Sequence, residues 1–431
     1  MNANKESIFV DSKRFVMCLD GTWNNTYAEN EREDGSKVIK PSNVLKLARA
    51  VLPRASDGRE QIVYYDTGVG AMSEYPGPSN KMLQYFDKIL GGGWGAGFES
   101  NIDDAVTFLA HNYMQGDQVY VFGFSRGASS ARALSQFIEW MGGLPVKRDS
   151  YYIPVFLRRY VESSGKVTAK QVVDKINKRL DKDTAGKQQL NPFHEISIEF
   201  LGVWDSVMAL GSKLFTSAHR RYHISDTPAS CINHVRHALA IDEKRADFKP
   251  EIWTGAHSGQ SLVQLWFAGV HSNIGGGYVN DGLANVSFKW MVSEASNYGL
   301  EFDTRFLGYY RPYVYDKLTE SKTLKYRVLD AMRLRNGLRS LMDHPASANL
   351  DLHYSVISRI KADAQEIVPG SRKPRYPRLK QYEPDNIFEY LASKDNLNDY
   401  ISRISLRDRN KVPATELSQQ VLDRISHLKR K

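Results

Sequence analysis

The sequence predicts an α/β fold in which helices cover both faces of a mostly parallel sheet. Short apolar runs rich in β-branched and aromatic residues are bounded by turn residues, as buried strands are. Helix-like segments separate these runs, and this alternation favours parallel strands joined by crossover helices. A Gly-x-Ser-x-Gly pattern also stands where one such strand meets a helix.

The predicted elements place the functional site at one edge of the sheet. The predicted strands are Phe15–Leu19, Ile62–Tyr65, Val119–Phe122, Ile196–Val203, Val235–Ile241 and Val263–Val270. The predicted helices between them are Asn43–Leu52, Phe98–Tyr113 and Arg126–Met141. In such sheets the chemistry takes place beyond the carboxyl ends of the strands. The residues that directly follow each strand are therefore the first candidates for a functional site.

The third predicted strand runs into Gly123-Phe124-Ser125-Arg126-Gly127, and a predicted helix follows at once. This is the strand–turn–helix context of a nucleophile elbow, in which a tight turn lifts the serine above the sheet edge. Side chains at the flanking positions would collide in that turn, which explains both glycines. Ser125 is therefore the candidate nucleophile, and the alternative is a glycine-rich turn without catalytic function.

Histidine and carboxylate candidates follow later strands. His271 follows the last predicted strand and precedes three glycines that let its loop fold over the sheet. Asp205 follows the fourth strand and Asp242 the fifth, so either carboxylate is placed to orient the histidine. Asp242 lies in an Asp-Glu-Lys-Arg cluster, where salt bridges are a simpler explanation. The chain order of serine, acid and histidine is that of α/β-hydrolases.

Backbone N–H groups for an oxyanion are expected from two places. One is the N–H of Arg126, directly after the candidate nucleophile. The other is the turn after the first strand, where Asp20-Gly21-Thr22 offers the N–H groups of Gly21 and Thr22. An Asx turn made by Asp20 is the alternative interpretation of this turn, and the two are compatible.

The strand signal fades after about residue 310. Residues 1–310 are therefore predicted to form an α/β-hydrolase catalytic domain, and residues 311–431 a basic, helical C-terminal region. Residues 151–193 interrupt the alternation, and this insertion is either a lid at the catalytic edge or a helical excursion packed on the sheet. The insertion begins with the aromatic cluster Tyr151, Tyr152, Phe156 and Tyr160.

Composition restricts the class of protein. The chain has 431 residues, 42% of them hydrophobic and 25% charged, as an ordinary globular protein does. Cys18 and Cys231 give neither a disulfide framework nor the spacing of a metal site, and no cofactor is predicted. The sequence shows no signal peptide and no apolar run of roughly 18 residues. We therefore expect synthesis in the cytoplasm, with export by a signal-independent system as a route elsewhere.

The net charge of +9 has two interpretations. It would attract an anionic membrane surface, or it would simply keep the protein in solution. No zinc-finger, homeodomain or RNP-type motif occurs, so no specific nucleic acid is expected as a partner.

Six ordered segments between Phe15 and Trp290 resemble the DUF2235 family of α/β-hydrolases, which includes the Tle1-type phospholipase effectors of type VI secretion. These segments are Cys18–Asn25, Tyr65–Gly70, Gly123–Ala128, Gly202–Val207, Ala240–Arg245 and Gly269–Tyr278. Two of them depart from the family pattern, because Asn273 replaces a usual aspartate and Ser206 a usual threonine. Residues 311–431 match no motif of the family.

The resemblance implies a catalytic triad of Ser125, Asp205 and His271, which favours Asp205 over Asp242 as the acid. Asp20 and Asp242 are then candidate supporting residues. The resemblance also implies hydrolysis of carboxylic esters, with phospholipids as substrates and a secretion apparatus or an immunity protein as partners. Two other functions stay open, namely an esterase for a small soluble ester and a binding module that kept the fold but lost turnover.

Overall fold

The computed structural model describes residues 12–21, 29–31, 37–67, 93–163, 166–184, 188–207, 225–321, 339–342, 344–361, 365–369, 378–380, 382–407, 417 and 419–429. Within these ranges the strands β1 to β12 are Arg14–Leu19, Glu29–Glu31, Lys37–Ile39, Gln61–Asp66, Gln118–Phe124, Ile198–Trp204, Ile232–Ala240, Ser261–Phe267, Leu318–Glu320, Leu350–Leu352, Gln365–Pro369 and Arg378–Lys380. The helices α1 to α12 are Asn43–Ala50, Gly93–Asn112, Arg126–Met141, Ile153–Ser163, Ala169–Thr184, His271–Gly275, Gly282–Ser296, Thr304–Gly308, Tyr354–Lys361, Asp385–Ala392, Leu397–Arg407 and Gln419–Lys429.

Seven of the described strands form the main sheet, in the order β10-β8-β7-β6-β5-β1-β4. Every neighbouring pair is parallel, so all carboxyl ends lie at one edge. The chain passes from β1 to β4 on one side and then returns to β5 on the other. The strand order therefore reverses between β1 and β5, which is where sheets of this class bind their ligands. The sheet confirms the predicted α/β fold.

Helices cover both faces of this sheet. On β1, Phe15 and Met17 face a core shared with α2 and α3, whereas Val16 and Cys18 face a second core shared with α1 and α7. Because side chains alternate along a strand and both faces are covered, β1 is a continuous apolar run. Among the helices in the described ranges, none has the length and apolar character needed to cross a bilayer.

Two expectations about the elements need correction. Strand β8 ends at Phe267 rather than Val270, and His271 is the first residue of the short helix α6. The C-terminal region is not purely helical, because it contributes β9 to β12. Among these, β10 pairs with β8 and completes the main sheet. Strands β9, β10 and β12 have three residues each, which is too short to show a period of two in sequence, so the sequence pattern did not predict them. The boundary at residue 310 stays a prediction.

Within the insertion at residues 151–193, helix α4 packs against α2 and α3, and helix α5 packs against α3. Phe156 and Tyr160 of α4 are 0% and 2% exposed, and the ring of Tyr160 lies 5.3 Å from that of Phe137 on α3. Phe137 lies about 17 Å along α3 from its first residue, at the far end from the candidate nucleophile. These contacts fit a helical excursion packed on the domain better than a lid over the catalytic edge.

We expect Phe156→Ala to lower the free energy of unfolding by about 3–5 kcal/mol, because it leaves a cavity between α4 and the main core. The matched control is Tyr151→Ala, since this neighbouring ring is 66% exposed and its loss should change stability by no more than about 0.5 kcal/mol. Urea denaturation of both variants measures the difference. Equal stability of the two variants would contradict the packed arrangement of the insertion.

Candidate active site

Ser125 stands at the junction of β5 and α3 in a strained backbone conformation. Its φ is 58° and its ψ is −124°, a region that non-glycine residues rarely adopt. A Cβ on Gly127 would overlap the carbonyl oxygens of Leu19 and Asp20 at the end of β1. A Cβ on Gly123 would lie 2.5 Å from the carbonyl oxygen of Gly127. The turn therefore needs both glycines, and it holds Ser125 half-exposed above the sheet edge.

The structure brings Ser125, His271 and Asp205 together at this edge. The Nε2 atom of His271 lies 2.8 Å from Ser125 Oγ, and its Nδ1 lies 2.6 Å from Asp205 Oδ2. Ser125 and His271 are 146 positions apart along the chain. His271 is 4% exposed and Asp205 is 0% exposed, so among the described residues of the trio the serine is the one that faces solvent.

Asp205 and His271 are held by the ends of neighbouring strands. Asp205 directly follows β6 with a φ of 40°, and its N–H donates to the carbonyl oxygen of Ala238 on β7 at 2.8 Å. The N–H of His271 donates to the Glu243 carboxylate, which follows β7, at 3.3 Å. The imidazole lies between the rings of Phe124 and Phe248, with centroids 4.7 Å and 5.0 Å away. The ring can therefore turn very little.

The electrostatics of the site keep Asp205 ionised and His271 neutral. Burial alone would raise the pKa of Asp205, but the guanidinium of Arg339 and the hydrogen bond from His271 hold it well below its usual value. Burial lowers the pKa of His271, although its hydrogen bond to Asp205 opposes this shift. A neutral imidazole in contact with a hydroxyl is the form that accepts a proton. In the part of the chain that the structure describes, no group of three His, Cys, Asp or Glu side chains is arranged to hold a metal ion.

Arg339 is the site residue that sequence reasoning missed. Its guanidinium contacts both carboxylate oxygens of Asp205, at 2.6 Å and 3.0 Å. Arg339 lies in the C-terminal region, where no motif surrounds it, and 134 positions separate it from Asp205. No signal in the sequence distinguishes this arginine from its neighbours.

The structure treats the predicted oxyanion donors Arg126 and Gly21 differently, because the N–H of Gly21 already has an acceptor within its own turn. Arg126 is the first residue of α3, and the N–H groups of a first helical turn point towards the helix N-terminus. The N–H of Gly21 instead donates to Oδ1 of the preceding residue, Asp20, at 2.7 Å. Gly21 is therefore not a vacant donor in this conformation, because the Asx turn of Asp20 uses its N–H. Thr22 lies outside the described residues.

The Asp20 carboxylate fixes the turn after β1. Its Oδ2 accepts hydrogen bonds from Ser42 Oγ at 2.5 Å and from the Tyr65 hydroxyl at 2.7 Å. Ser42 in turn caps α1 by accepting from the N–H of Leu45. Asp20 thus connects β1, β4 and α1 beside the nucleophile turn, as a supporting residue would.

Asp242 does not contact His271 in the structure. Its Oδ2 accepts from the N–H of Gly269 at 2.7 Å and from the hydroxyl of Tyr382 at 2.8 Å. It therefore holds the loop that leads to His271 rather than the imidazole itself. Asn273, on the short helix α6 that follows this loop, accepts from the N–H groups of Val270 and Thr319, both at 3.3 Å. The amide oxygen at this position serves as a hydrogen-bond acceptor that stabilises the loop.

The chain matches one family model and one curated protein. Residues 13–294 match the family model of the type VI secretion phospholipase effector Tle1-like catalytic domain. An uncharacterized protein of Saccharomyces cerevisiae is 27% identical over 261 residues, which are 58% of this chain and 34% of that protein. The chain thus spans about a third of the length of this curated relative.

Two solved structures are also similar. The crystal structure of an uncharacterized protein from Pseudomonas aeruginosa matches with a TM-score of 0.41 and 17% identity, over 97% of this chain and 62% of that one. The Tle1 effector bound to the VgrG spike of the type VI secretion system matches with a TM-score of 0.33 and 20% identity, over 62% of this chain and 52% of that one. On the strength of the family model, which covers more than half of its residues, the chain belongs to the Tle1-like phospholipase effector family.

Proposed function

We propose that the protein is a serine hydrolase of carboxylic esters, of the phospholipase type, with a catalytic triad of Ser125, His271 and Asp205. The observation that carries the proposal is the chain of two hydrogen bonds, from Ser125 Oγ to His271 Nε2 and from His271 Nδ1 to Asp205 Oδ2. This chain stands at the carboxyl edge of the sheet, where the strand order reverses. Membership of a phospholipase effector family supports the same reaction class.

In the proposed mechanism, Ser125 Oγ attacks the ester carbonyl while His271 Nε2 takes the hydroxyl proton. The imidazolium that forms is stabilised by the ionised Asp205 carboxylate. Collapse of the tetrahedral intermediate releases the alcohol, which receives the proton from His271, and leaves an acyl group on Ser125. Water then attacks the acyl group by the same steps, with His271 as base, and the carboxylic acid leaves.

The developing oxyanion needs hydrogen-bond donors on the side of the helix N-terminus. The N–H of Arg126 follows the nucleophile directly, as the donor in such elbows does, and the helix dipole of α3 favours negative charge there. The N–H of Gly21 would join it only if it exchanged the Asp20 carboxylate for the substrate oxygen. We therefore assign Arg126 as the first donor and the turn after β1 as the place of the second.

We propose phospholipids as the substrate class. Family membership supports this class, and the net charge of +9 would draw the protein towards anionic lipid surfaces. A small soluble ester is the alternative substrate, since nothing in the triad itself selects a lipid.

We further propose that the chain acts as an effector exported through a type VI secretion apparatus. The name of the matched family supports this route. The corresponding partners would be a component of that apparatus and an immunity protein in the cell that makes the effector.

Replacement of the nucleophile tests the triad. We expect Ser125→Ala to lower hydrolysis of nitrophenyl butyrate by roughly 10⁴-fold or more, because only background catalysis remains without the attacking hydroxyl. Labelling by a fluorophosphonate probe should disappear as well, whereas the melting temperature should stay close to that of the wild type. Ser100→Ala, at an exposed serine on α2, is the matched control and should retain full rate and labelling. A wild-type chain that the probe does not label would instead indicate a binding module.

The pH dependence tests the role of His271. Only the neutral imidazole accepts the serine proton, and burial lowers its pKa from 6.5, so the neutral form should persist below that pH. We expect kcat/KM for nitrophenyl butyrate to fall on acidification with a midpoint below pH 6.5, and to be level above it. The rate is followed at the isosbestic wavelength of nitrophenol. A midpoint above pH 6.5 would contradict the proposed environment of the histidine.

Lipid vesicles test the substrate class. We expect the wild-type chain to release fatty acid from phosphatidylcholine vesicles, and faster from mixed phosphatidylcholine–phosphatidylglycerol vesicles at low salt. Added salt should reduce this difference, because it screens attraction between the basic protein and the anionic surface. Ser125→Ala provides the blank. Hydrolysis of nitrophenyl butyrate without fatty acid release from either vesicle would favour the small soluble ester.

A further inference from the structure

We propose that Arg339 is a positioning residue for the proposed triad, and that the C-terminal region completes the active site through it. This inference rests on the proposed function of Ser125, His271 and Asp205. Arg339 Nη1 donates to Asp205 Oδ1 at 2.6 Å, and its Nη2 donates to Asp205 Oδ2 at 3.0 Å. The arginine lies outside residues 13–294, the part of the chain that matches the family's catalytic domain.

The two hydrogen bonds determine the orientation of the carboxylate. A guanidinium presents two parallel N–H groups, so it fixes the plane of a carboxylate in a way that a single donor cannot. Oδ2 of Asp205 also receives the hydrogen bond of His271 Nδ1, and Oδ1 receives that of the Ala240 N–H at 3.0 Å. A carboxylate held at both oxygens aims one of them at the imidazole, and this fixes the ring that faces Ser125.

Arg339 is itself held in place by contacts on three sides. Its guanidinium donates to the carbonyl oxygens of Ala240 at 2.7 Å and Phe248 at 2.6 Å. Its own carbonyl oxygen accepts from Asn386 Nδ2 at 3.1 Å, at the start of α10. Leu341, two residues further, belongs to the buried core that the C-terminal helices share with β8 and β10. The packing of the C-terminal helices therefore determines where the guanidinium stands.

The charge of Arg339 matters as much as its shape, because Asp205 is fully buried. Burial favours the protonated form of the carboxyl, and the adjacent guanidinium opposes this. Other titratable groups facing the dyad of Asp205 and His271 are Glu243, Arg245 and His237. Glu243 and Arg245 form a salt bridge with each other at 2.8 Å. Burial lowers the pKa of His237 to about 3, so the His237 imidazole is neutral.

Removal of the guanidinium charge must raise the affinity of the dyad for a proton. This holds whichever of the two groups carries the proton, because both lose a nearby positive charge and they titrate as a coupled pair. In the active form the Asp205 carboxylate is ionised and the His271 imidazole is neutral. The acidic limb of the rate profile should therefore move to higher pH when the charge is lost.

Three variants of the full-length chain test the proposal, with kcat and KM for nitrophenyl butyrate measured across pH. Active sites are counted by fluorophosphonate titration, so that loss of folded protein is separated from loss of rate. Arg339→Gln should move the acidic limb up by about one to two pH units and lower kcat per active site, with little change in KM. Arg339→Lys keeps the charge but not the planar fork. Its acidic limb should stay near that of the wild type while kcat falls by roughly tenfold to a hundredfold.

The matched control is Arg359→Gln. Arg359 is another buried arginine of the C-terminal region, and it donates to the carbonyl oxygens of Val314 and Asp316. It should reduce the number of active sites without moving the acidic limb. An unshifted limb in active Arg339→Gln would overturn the proposal. If that variant does not fold, wild-type kcat per active site in Arg339→Lys would overturn it. A wrong assignment of the triad is recognised separately, because Ser125→Ala would then retain activity.

Discussion

The close approach of α3 to the end of β1 is the constraint on which the site depends. Gly127 lies against the carbonyl oxygens of Leu19 and Asp20, where no Cβ fits. The helix must therefore begin directly at the strand end, and the chain reaches it only through the positive φ of Ser125. A conformation of this kind costs on the order of 1–3 kcal/mol, and the pairing of β1 with β5 holds it in place. The strain is what projects the hydroxyl above the sheet.

The parallel sheet assembles the remaining groups by placing successive strand ends side by side. Ser125 follows β5 and Asp205 follows the adjacent β6, and neighbouring strands stand about 4.8 Å apart. The loop after β8 must cross back over β7 to bring His271 between them. Asp242 and Glu243, which follow β7, accept hydrogen bonds from the backbone of this loop. The acidic residues after β7 thus orient the loop of the histidine, while the acid after β6 orients its ring.

Burial of the Asp205 carboxylate connects the site to the rest of the chain. A buried charge is tolerated only where it is paired and fully hydrogen-bonded, and Arg339, His271 and the Ala240 N–H meet this requirement. Because Arg339 comes from the C-terminal region, this region contributes a side chain that pairs with Asp205. It also supplies β10, which pairs with β8, and a buried core that covers that end of the sheet.

The sequence by itself was sufficient for the α/β fold, for the helix Arg126–Met141 and for Ser125 and His271 as candidates. These signals are local, because glycine spacing and apolar periodicity express the sterics of one turn or one strand. Sequence reasoning from the residues could not decide between Asp205 and Asp242, which both follow apolar strands. Only the tertiary structure places one against the imidazole and the other against the loop. Ser125 and His271 are 146 positions apart, but each lies in a recognisable local pattern. Arg339 lies in no such pattern, and its contact with Asp205 depends on how the C-terminal region packs, so it could not be predicted.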